Sequence, residues 1–487
     1  MSTSATALPT APARTAARRR RSWSAAALLG APLLALAACG DGGSSTASSS
    51  AAPSTPAAEP TSDVAEVATA TPRLVVTLEG GDLAVLDATT LEPVADVEMD
   101  GYLRINDAGD GRHVLVSTTG GFRVLDAGTW GEPHGDHSHY YTSDPVLTDV
   151  VHPAETPAHV VTHAGRTALF DDGTGGAVVV DSADVAEADP QARTVESGAA
   201  HHGVAVEMAD GRLVHTVGTE EERSTVVLLD AEGTELARTD ECPGMHGEAT
   251  AADEAAVVGC EDGIVVVRGD TLTKIAAPDA YGRIGNQAGS EESAVVLGDY
   301  KRDEGRDSAT EGPERTQTVS LTDTAAGTLT LVDLPASYTF RSLGRGEDGE
   351  ALVLGTDGAL HVLDPAAASI TRSVPVVEAW EEPDDWQEPR PALRVHEGTA
   401  YVTEPATREV HAVDVVSGEV FATASLDGVP DEVVVVSGAT PAVPDGGAPV
   451  EGEEHAEGEH DHAEGDHDHA EGEAHDHEDG DAVAGRR

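Results

Sequence analysis

Short runs of β-branched and aliphatic residues recur between residues 73 and 437, and turns rich in Gly, Asp and Asn separate them. No stretch of this region carries apolar residues at helical spacing over a useful length. Short apolar runs that are bounded by turn residues are typical of strands. The pattern therefore predicts an all-β fold.

The strand runs form a repeat. Most copies continue, after a turn, into a second strand that ends in Asp, as residues 83–87 and 360–364 do. Successive copies are about 40 to 58 residues apart, which is the length of one four-stranded blade. We therefore predict a β-propeller with eight blades, or with seven if one copy has been split in two. The copies begin at Arg73, His113, His159, Arg212, Glu254, Ser293, Glu350 and Thr399.

The two ends of the repeat region complement each other. The first copy, at Arg73, lacks a preceding inner strand, while residues 431–437 form a strand pattern without a blade of its own. Pairing the two would remove an open sheet edge and close the ring. We expect a C-terminal strand in the first blade to close the propeller, and the domain to span residues 73–440.

The first 39 residues have the features of an export signal. Basic residues, among them Arg18 to Arg21, precede an apolar stretch at 25–38 that is too short for a comfortable membrane span. The sequence Leu36-Ala-Ala-Cys39 resembles the bacterial lipobox, so we expect a lipid on Cys39 and a protein anchored on the extracytoplasmic side of the cell membrane. An ordinary secretory signal is the alternative, and Sec and twin-arginine export both stay open. Residues 40–72, rich in Ser, Ala, Pro and Thr, predict a disordered stalk.

The charge of the chain is strongly acidic, with 88 acidic and 29 basic residues and a formal net charge of -59. A surface of this kind repels nucleic acid and attracts divalent cations or basic partners. Adaptation to a high-salt or acid-biased proteome explains the same charge equally well. The charge argues against nucleic-acid binding without identifying a function.

Two cysteines, Cys242 and Cys260, remain in the exported part of the chain. An even count outside the cytoplasm is typical of a disulfide, with a two-cysteine zinc site as the alternative. The two residues flank a predicted antiparallel hairpin, which brings their backbones close together. We expect a disulfide.

Three imidazoles and a carboxylate lie within six residues, at His134, Asp136, His137 and His139. Imidazole nitrogen is a preferred ligand of zinc, and a zinc site needs about four ligands. His137 and His139 lie on the same face of an extended backbone, close enough to chelate one ion after a modest bend. Two further ligands must come from elsewhere in the fold.

The inner strands of a propeller all begin at one rim of its channel, so residues at their starts converge. His202 and His246 occupy equivalent starts in the fourth and fifth blades. We predict one Zn2+ bound by these two residues and by His137 and His139, with water-bonded channel histidines as the alternative. The expected alternate or orienting residues are His134, Asp136 and His201. The histidines predicted to be ordinary strand or turn residues are His113, His152, His159, His163, His215, His361, His396 and His411.

The C-terminal tail is a second candidate for metal binding. Residues 451–481 combine seven histidines with 15 Asp and Glu and contain no apolar residue larger than Ala. Such a segment has no core to bury, so we expect disorder from 441 to 487. Repeated His-Asp-His triplets bind zinc, nickel, copper and cobalt with little discrimination. We expect the tail to gather metal, with a plain solubilising tail as the alternative. Its histidines are His455, His460, His462, His467, His469, His475 and His477.

Five motifs carry a resemblance to a known family. They are His134-Gly-Asp-His-Ser-His-Tyr-Tyr, Ala200-His-His-Gly-Val-Ala-Val, Cys242-Pro-Gly-Met-His-Gly-Glu-Ala, Tyr281-Gly-Arg-Ile-Gly-Asn-Gln-Ala-Gly-Ser and Ser337-Tyr-Thr-Phe-Arg-Ser-Leu. Together they resemble the AztD-type zinc metallochaperones, which accompany zinc ABC importers. The resemblance covers the propeller and implies a protein that holds Zn2+ and passes it to the solute-binding protein of a zinc ABC transporter. The lipobox and the His-rich tail go beyond the core of that family.

Two other classes of function stay open as alternatives. A propeller enzyme, such as a lactonase or a quinoprotein-like dehydrogenase, needs a calcium ion ringed by carboxylates or a cofactor bed with stacking Trp. No acidic residue recurs at the starts of the inner strands, and Trp does not recur once per blade, so we expect no enzyme. A tethered protein-binding scaffold explains the fold and the anchor but leaves the histidines without a role. We predict a monomeric zinc carrier, although the ligand type also suits nickel or copper.

Overall fold

The structure is a computed structural model that describes residues 64–306 and 308–440. The lipobox at Cys39, most of the stalk and the tail histidines lie outside the described residues, so lipidation and metal gathering stay predictions. Within the described part, no helix combines the length and the apolar character that a membrane crossing requires.

Antiparallel sheets account for almost all regular structure in the described residues, so the all-β prediction is confirmed. Two short helical segments interrupt the strands, a 3-10 turn at Ser182–Asp184 and α1 at Ser308–Glu311. The buried core is rich in Val and Leu. These residues suit strands, because β-branched and aliphatic side chains fit a pleated surface.

Strands follow one another along the whole described part of the chain. The N-terminal strands are β1 (Ala65–Val67), β2 (Arg73–Leu78), β3 (Leu83–Asp87), β4 (Pro93–Val97), β5 (Arg104–Asp107), β6 (His113–Thr118), β7 (Gly121–Asp126), β8 (Thr129–His134), β9 (His137–Thr142), β10 (Val146–Pro153), β11 (Pro157–His163), β12 (Arg166–Asp171), β13 (Gly176–Asp181) and β14 (Ala192–Glu196). The central strands are β15 (Ala205–Glu207), β16 (Leu213–Gly218), β17 (Arg223–Leu229), β18 (Glu235–Thr239), β19 (His246–Ala251), β20 (Ala255–Cys260), β21 (Asp262–Arg268), β22 (Thr271–Ala276) and β23 (Gly282–Arg283). The C-terminal strands are β24 (Gln287–Ala288), β25 (Val295–Asp299), β26 (Thr318–Asp323), β27 (Thr328–Asp333), β28 (Leu343–Arg345), β29 (Ala351–Leu354), β30 (Ala359–Asp364), β31 (Ser369–Pro375), β32 (Leu393–His396), β33 (Thr399–Glu404), β34 (Glu409–Asp414), β35 (Val420–Ser425) and β36 (Pro430–Val436).

Eight sheets, each built on a row of four strands, follow one another along the part of the chain that the structure describes. We number them first to eighth. From the inner to the outer strand their orders are β36-β2-β3-β4, β5-β6-β7-β10, β11 to β14, β15 to β18, β19 to β22, β24 to β27, β28 to β31 and β32 to β35. In addition, β23 pairs in parallel with β21 of the fifth sheet.

Apolar clusters fill the space between successive sheets. Val206 of the fourth sheet packs with Val258 of the fifth, for example. A cluster of the same kind joins the eighth sheet to the first, where Val410 packs with Leu74. The sheets therefore form a closed ring, and the prediction of a β-propeller is confirmed.

The C-terminal strand closes this ring. β36 pairs antiparallel with β2, so that Val434 lies opposite Val75 and Val433 opposite Val76. The last strand of the described chain is thus the inner strand of the first sheet, as predicted. Pairing the two ends of the domain covers a sheet edge that would otherwise be exposed.

The inner strands surround a central channel. Most of them contribute residues to a cavity of about 560 Å3, among them Arg104, Glu248 and Glu432. Four antiparallel strands return the chain to the rim of the propeller at which the sheet began. The next sheet therefore begins at that same rim, and so do all the inner strands. We call this the upper rim and the opposite one the lower rim. The third strand of each sheet, like the first, ends at the lower rim.

The second sheet carries an insertion at the lower rim. Between β7 and β10 the chain forms the hairpin β8–β9, and β1 pairs with β9 to give a separate three-stranded sheet. Both ends of the domain touch this insertion. The Thr129 hydroxyl donates a hydrogen bond to the backbone oxygen of Thr71, just before β2, at 2.7 Å. The Thr440 hydroxyl, just after β36, donates to the Ser138 hydroxyl at 2.8 Å.

A disulfide joins Cys242 and Cys260, whose Cα atoms are 4.9 Å apart. Both residues are buried in the apolar cluster between the fourth and fifth sheets. The predicted disulfide is confirmed. The alternative of a two-cysteine zinc site is wrong, because each sulfur is bonded to the other.

Two expectations differ from the structure. Residues 65–67, predicted as part of the stalk, form β1, because they pair with the exposed edge of β9. The other runs of the sequence repeat form the second strand of their sheets, counted from the channel. The run at His159 belongs instead to β11, the inner strand of the third sheet. The grouping slipped by one strand because inner and second strands carry similar β-branched runs.

Candidate metal centres

Three histidines from three successive sheets meet at the upper rim. His159 lies near the start of β11, His202 precedes β15, and His246 begins β19. One ring nitrogen of each lies within 4.8 Å of one ring nitrogen of the others. The ring centroids are 4.6 Å apart for His202 and His246 and 4.9 Å apart for His159 and His202. We call these three residues the channel-mouth cluster.

Two carboxylates orient two of these rings. Nδ1 of His202 lies 2.6 Å from Oδ2 of Asp172, and Nδ1 of His159 lies 2.9 Å from Oε2 of Glu248. A proton on Nδ1 that faces a carboxylate leaves the lone pair on Nε2. Imidazoles that bind metals commonly have such a carboxylate behind them, because it fixes the tautomer and makes the ligand nitrogen more basic.

A backbone carbonyl orients the third ring. Nδ1 of His246 donates to the carbonyl oxygen of Gly285 at 2.5 Å, which leaves Nε2 as the free nitrogen. The Gly285 segment is itself held in place, because Oδ1 of the buried Asp299 accepts hydrogen bonds from the backbone N–H groups of Gly285 and Asn286, at 2.6 and 3.0 Å. Asp299 thus acts on His246 through the backbone between them.

The spacing of the free nitrogens fits a zinc ion. Nε2 of His159 and Nε2 of His202 are 3.2 Å apart. Two nitrogen ligands of a tetrahedral Zn2+, each about 2.0 to 2.1 Å from the ion, lie about 3.3 Å apart. Two lone pairs that face each other at this distance repel unless a proton or a cation lies between them. Three imidazoles in this arrangement leave a fourth coordination position open.

Two partly buried histidines of this cluster, His159 and His246, differ in how readily they take up a proton. Burial lowers the pKa of His246 well below its ordinary value, and the charge of Arg283 acts in the same direction. Burial also lowers the pKa of His159, but the carboxylates of Glu248 and Asp172 together outweigh burial, so the net pKa is raised. Because neutral imidazole is the form that binds metal, His159 must give up a proton more often than His246 does.

The channel-mouth cluster is accessible from one side. The side chains of His159 and His202 are 21% and 28% exposed. Their Nδ1 atoms point into the protein, toward Glu248 and Asp172. A ligand from another molecule can therefore reach the open coordination position without displacing the groups that orient the rings.

A second group of histidines lies on the β8–β9 hairpin. His134 and His137 are direct partners across the hairpin, and His139 lies two residues further along β9. Nε2 of His137 is 3.4 Å from Nδ1 of His134 and 3.3 Å from Nε2 of His139. These separations again match the edge of a tetrahedral zinc site, about 3.3 Å. We call these three residues the hairpin cluster.

The hairpin cluster is more exposed than the channel-mouth cluster, and fewer neighbouring groups hold its rings in place. The side chains of His137 and His139 are 56% and 38% exposed. Nδ1 of His139 lies 2.8 Å from a carboxylate oxygen of Glu66 in β1, and Nδ1 of His137 lies 3.2 Å from the fully exposed Asp136. Only Glu66 is held by strand pairing on a neighbouring element, so one ring of the three is firmly oriented.

The structure separates the four histidines that were predicted to share one ion. His137 and His139 belong to the hairpin cluster, while His202 and His246 belong to the channel-mouth cluster. The hairpin does not lie at the channel mouth, because it follows the third strand of its sheet and leaves the propeller at the lower rim. Metal binding by either group stays a prediction.

The remaining candidates occupy different places. His134 is a direct member of the hairpin cluster, and Asp136 stands beside it as an exposed neighbour. His201 lies in neither cluster: its ring packs on Phe170 at 5.5 Å, and its Nδ1 donates to the backbone oxygen of Ala199. His201 directly precedes His202, and neighbouring side chains of an extended backbone point in opposite directions, so only one of the adjacent pair is available.

Sequence reasoning missed His159, Asp172 and Glu248. The repeat pattern places His159 among the isolated strand histidines, because its run resembles the second strand of a sheet. Four strands follow one another between residues 157 and 196, and counting them would have made β11 the inner strand. Asp172 and Glu248 carry no signal of their own in a chain with 88 acidic residues.

A third group of potential ligands has a structural role. Glu404, Glu409 and His411 lie close enough together to hold a metal ion. Both ring nitrogens of His411 are already engaged, by Glu404 at 3.1 Å and by the Thr423 hydroxyl at 3.0 Å. A ring with both nitrogens in hydrogen bonds offers no free lone pair to a metal.

Comparison with known proteins finds a zinc chaperone among the relatives of this chain. No family model matches the chain. The zinc chaperone AztD of Citrobacter koseri is 24% identical over 365 residues, which are 73% of this chain and 83% of that protein. The crystal structure of Citrobacter koseri AztD has a TM-score of 0.65 at 22% identity and covers 76% of this chain and 98% of its own. A structure of apo AztD from the same organism has a TM-score of 0.64 at 21% identity, with the same coverage.

These findings confirm the resemblance that the five motifs indicate. Identities of this size establish a shared fold, and the shared region includes nearly the whole of the solved AztD chain. The relatives are described as a chaperone and not as an enzyme, which agrees with the expectation of a non-enzymatic protein.

Proposed function

We propose that this protein is an extracytoplasmic zinc metallochaperone. It holds Zn2+ at the channel-mouth cluster and passes it to the solute-binding protein of a zinc ABC transporter, while the His-rich tail gathers metal. The similarity to the zinc chaperone AztD supports this proposal. The lipobox-like sequence at Cys39 supports a lipid anchor on the extracytoplasmic side of the cell membrane.

One observation carries the proposal. In the channel-mouth cluster, each of three imidazoles has Nδ1 directed at a fixed acceptor and Nε2 left free. The free nitrogens of His159 and His202 lie 3.2 Å apart, at zinc-ligand spacing, and one ring nitrogen of His246 lies within 4.8 Å of both rings. A scaffold protein gains nothing from three imidazoles that face one another, because their lone pairs repel. Histidines arranged in this way cost stability unless a cation binds between them.

Release of the ion follows from the number of ligands. Three protein nitrogens hold the Zn2+, and a water molecule completes the coordination sphere. A carboxylate or imidazole of a partner protein can replace that water and then displace the histidines one at a time. We expect His202 to leave first, since it is the more exposed of the two carboxylate-backed rings. Each step exchanges one coordinate bond for another, so the free ion is never released to water.

The test is a zinc titration of the full chain against a competing chelator. We expect the variants His159→Asn, His202→Asn and His246→Asn each to bind one zinc ion fewer with high affinity than the wild type. His396→Asn is the matched control, because His396 also lies on an inner strand but belongs to neither cluster. The same number of tightly bound zinc ions in the wild type and in all three cluster variants contradicts the proposal for this cluster.

Transfer is tested with the zinc-loaded chain and the metal-free solute-binding protein. We expect the ion to move at a rate that a chelator in the solution cannot intercept. Complete interception of the ion by the chelator would show that zinc leaves by free dissociation, and the chaperone proposal would then fail even though the site binds zinc.

A further inference from the structure

We propose that the central channel of the propeller binds a small oxyanion, a carboxylate or a phosphate, and that Arg394 and Arg104 hold it. This site goes beyond the proposed function and does not depend on it, because no metal ion takes part in the binding. Two features of the channel support it. Its lining carries more arginines than carboxylates, and no described residue accepts a hydrogen bond from the Arg394 guanidinium.

The charge that lines the channel is opposite in sign to that of the whole chain. Four arginines and two glutamates line the cavity of about 560 Å3, whereas the chain has a formal net charge of -59. Exposed charges that are farther away than about 8 Å are largely screened at physiological ionic strength, so the lining residues decide the potential inside the channel. The arginines are Arg104, Arg341, Arg345 and Arg394, and the glutamates are Glu248 and Glu432.

Both glutamates of the lining already have partners. Oε2 of Glu248 lies 2.9 Å from Nδ1 of His159. Glu432 pairs with Arg104, and its Oε1 also accepts a hydrogen bond from Nη2 of Arg341 at 3.0 Å. Neither glutamate therefore remains available to neutralise the other two arginines of the channel.

Those two arginines have no carboxylate close by. Arg341 has a further partner in the buried Asp431, but no carboxylate oxygen of the described residues lies within 4 Å of the Arg345 or Arg394 guanidinium. Arg345 donates to four backbone carbonyl oxygens at 2.5 to 3.3 Å, which satisfies its N–H groups but not its charge. Burial lowers its pKa to about 10, so it stays charged at neutral pH.

Arg394 is free on the side that faces the channel. Its neighbours in β32, Leu393 and Val395, pack in the apolar cluster between the seventh and eighth sheets. Arg394 therefore points the other way, toward the first sheet, where the charge of Glu432 acts on it. The residue is exposed, and yet the protein around it lowers its pKa by burial. Both properties fit a side chain that lines a channel and whose N–H donors have no acceptor in the described part of the chain.

Arg104 lies on the other side of the same inner strand. β36, which carries Glu432, lies between β32 of the eighth sheet and β5 of the second. Nε of Arg104 pairs with Glu432, but no described residue accepts a hydrogen bond from its two Nη groups, and its side chain is 46% exposed. Two guanidinium groups with free donors thus flank one strand and line one cavity.

A small oxyanion matches this lining. A guanidinium presents parallel N–H donors that fit two oxygens of a carboxylate or phosphate group. The volume of the cavity lies within the range of about 300 to 1,000 Å3 that is typical of small-molecule sites. Binding replaces water on the ion and on the arginines with charge-assisted hydrogen bonds, and no covalent bond changes. The acidic outer surface repels the same ion, which favours binding inside the channel.

The test is a calorimetric titration of the zinc-free full chain with sodium succinate and, separately, with sodium phosphate, in Tris buffer at constant ionic strength. We expect one anion per chain, and the probe that binds more tightly identifies the class. Arg394→Gln should weaken binding about tenfold or more, because charge-assisted hydrogen bonds are lost. Arg394→Lys should weaken it less, since lysine keeps the charge but lacks the fork.

Arg408→Gln is the matched control. Arg408 is an exposed residue in the turn between β33 and β34 of the same sheet, and it does not line the channel. The substitution changes the net charge of the chain by the same amount as Arg394→Gln does. We expect it to leave the affinity for succinate and phosphate unchanged.

A second measurement needs no variant and so does not depend on whether a variant folds. Phenylglyoxal modifies accessible arginines, and mass spectrometry reads the modification residue by residue. The bound anion should protect Arg394 and Arg104 and leave Arg408 as reactive as before.

Three results would overturn the proposal: no saturable binding of either probe, equal losses of affinity in Arg394→Gln and Arg408→Gln, or no protection of Arg394 by the anion. Each would show that the arginines only balance the carboxylates beside them. Because zinc is absent from every arm, failure here leaves the proposed zinc function standing, and failure of zinc binding leaves the anion site standing.

Discussion

Nε2 of His159 and Nε2 of His202 face each other at 3.2 Å, although 43 residues separate the two histidines in the chain. The contact forms because the start of one inner strand lies beside the start of the next at the upper rim. His159 is the member of the channel-mouth cluster that the sequence pattern does not reveal. Its substitution is therefore the most direct check of the site.

Replacing His159 with Asn should weaken zinc binding at the channel mouth by about 100-fold or more, because the ion loses one of three protein ligands. The measurement is a competition titration with a chelator of known affinity. His163→Asn is the control on the same strand, since His163 pairs with Glu254 at 3.1 Å and lies in neither cluster. Equal losses in the two variants would mean that His159 acts through the strand and not as a ligand.

Replacing Glu248 with Gln should weaken zinc binding at neutral pH by about 10- to 100-fold, because the carboxylate no longer orients and polarises the His159 ring. The pH dependence should change as well. Burial lowers the pKa of His159 and the Glu248 carboxylate raises it, so removing the charge lowers that pKa. Protons then compete with zinc only at lower pH, and the fall in affinity on acidification should begin lower than in the wild type.

The pH profile distinguishes this role of Glu248 from simple loss of packing. A variant that is merely misfolded would bind less zinc at every pH without moving the midpoint of the profile. Glu291→Gln is the matched control, because Glu291 lies 3.5 Å from His163 and faces no cluster histidine.

Replacing Cys242 and Cys260 together with Ala should lower the free energy of unfolding by about 2 to 4 kcal/mol, since the disulfide closes a segment of 18 residues. Urea denaturation of both proteins measures this difference. The closed segment contains His246 and Glu248, so we also expect weaker zinc binding at the channel mouth. Unchanged zinc affinity in the folded variant would show that β19 is held in place by its sheet alone.

Acidification should destabilise the fold in part through His215. Burial lowers the pKa of His215 to about 4, below the value of about 6.5 in the unfolded chain. The unfolded state therefore takes up the proton first, and stability that is present above pH 6.5 is lost as the pH falls toward 4. As the pH falls from 6.5 to 4, the free energy of unfolding should therefore decrease by about 2 to 3 kcal/mol less in His215→Asn than in the wild type.

This prediction is checked by urea unfolding at several pH values between 4 and 7.5. The quantity to compare is the slope of the free energy of unfolding against pH in the two proteins. Many carboxylates titrate over the same pH range, but their contribution is the same in both proteins and cancels in the difference. Parallel pH profiles for the two proteins would show that His215 is not a source of acid sensitivity.

Much of the architecture follows from local pattern. Runs of alternating and β-branched residues identify strands, and their spacing of about 40 to 58 residues identifies the repeat. The unpaired run at the C-terminus and the missing inner strand at Arg73 together predict the closure that β36 and β2 make. The count of two cysteines in an exported chain predicts the disulfide.

The candidate site was predictable only in part. His202 and His246 follow from equivalent positions in two adjacent repeats, and the structure brings them together. His159 does not follow, because its run resembles a second strand as closely as an inner one. Glu66 does not follow either, since nothing in residues 40–72 predicts the three residues that pair with β9.

By itself, then, the sequence determined the class of the fold, its closure and the kinds of residue that bind metal, because these depend on local periodicity and on side-chain chemistry. Only the tertiary structure decided which histidines share a site. Antiparallel strands return the chain to alternate rims, so the assignment of a residue to the upper or the lower rim changes with each strand that is counted. A slip of one strand therefore leaves the fold class unchanged but moves a ligand such as His159 into or out of the cluster.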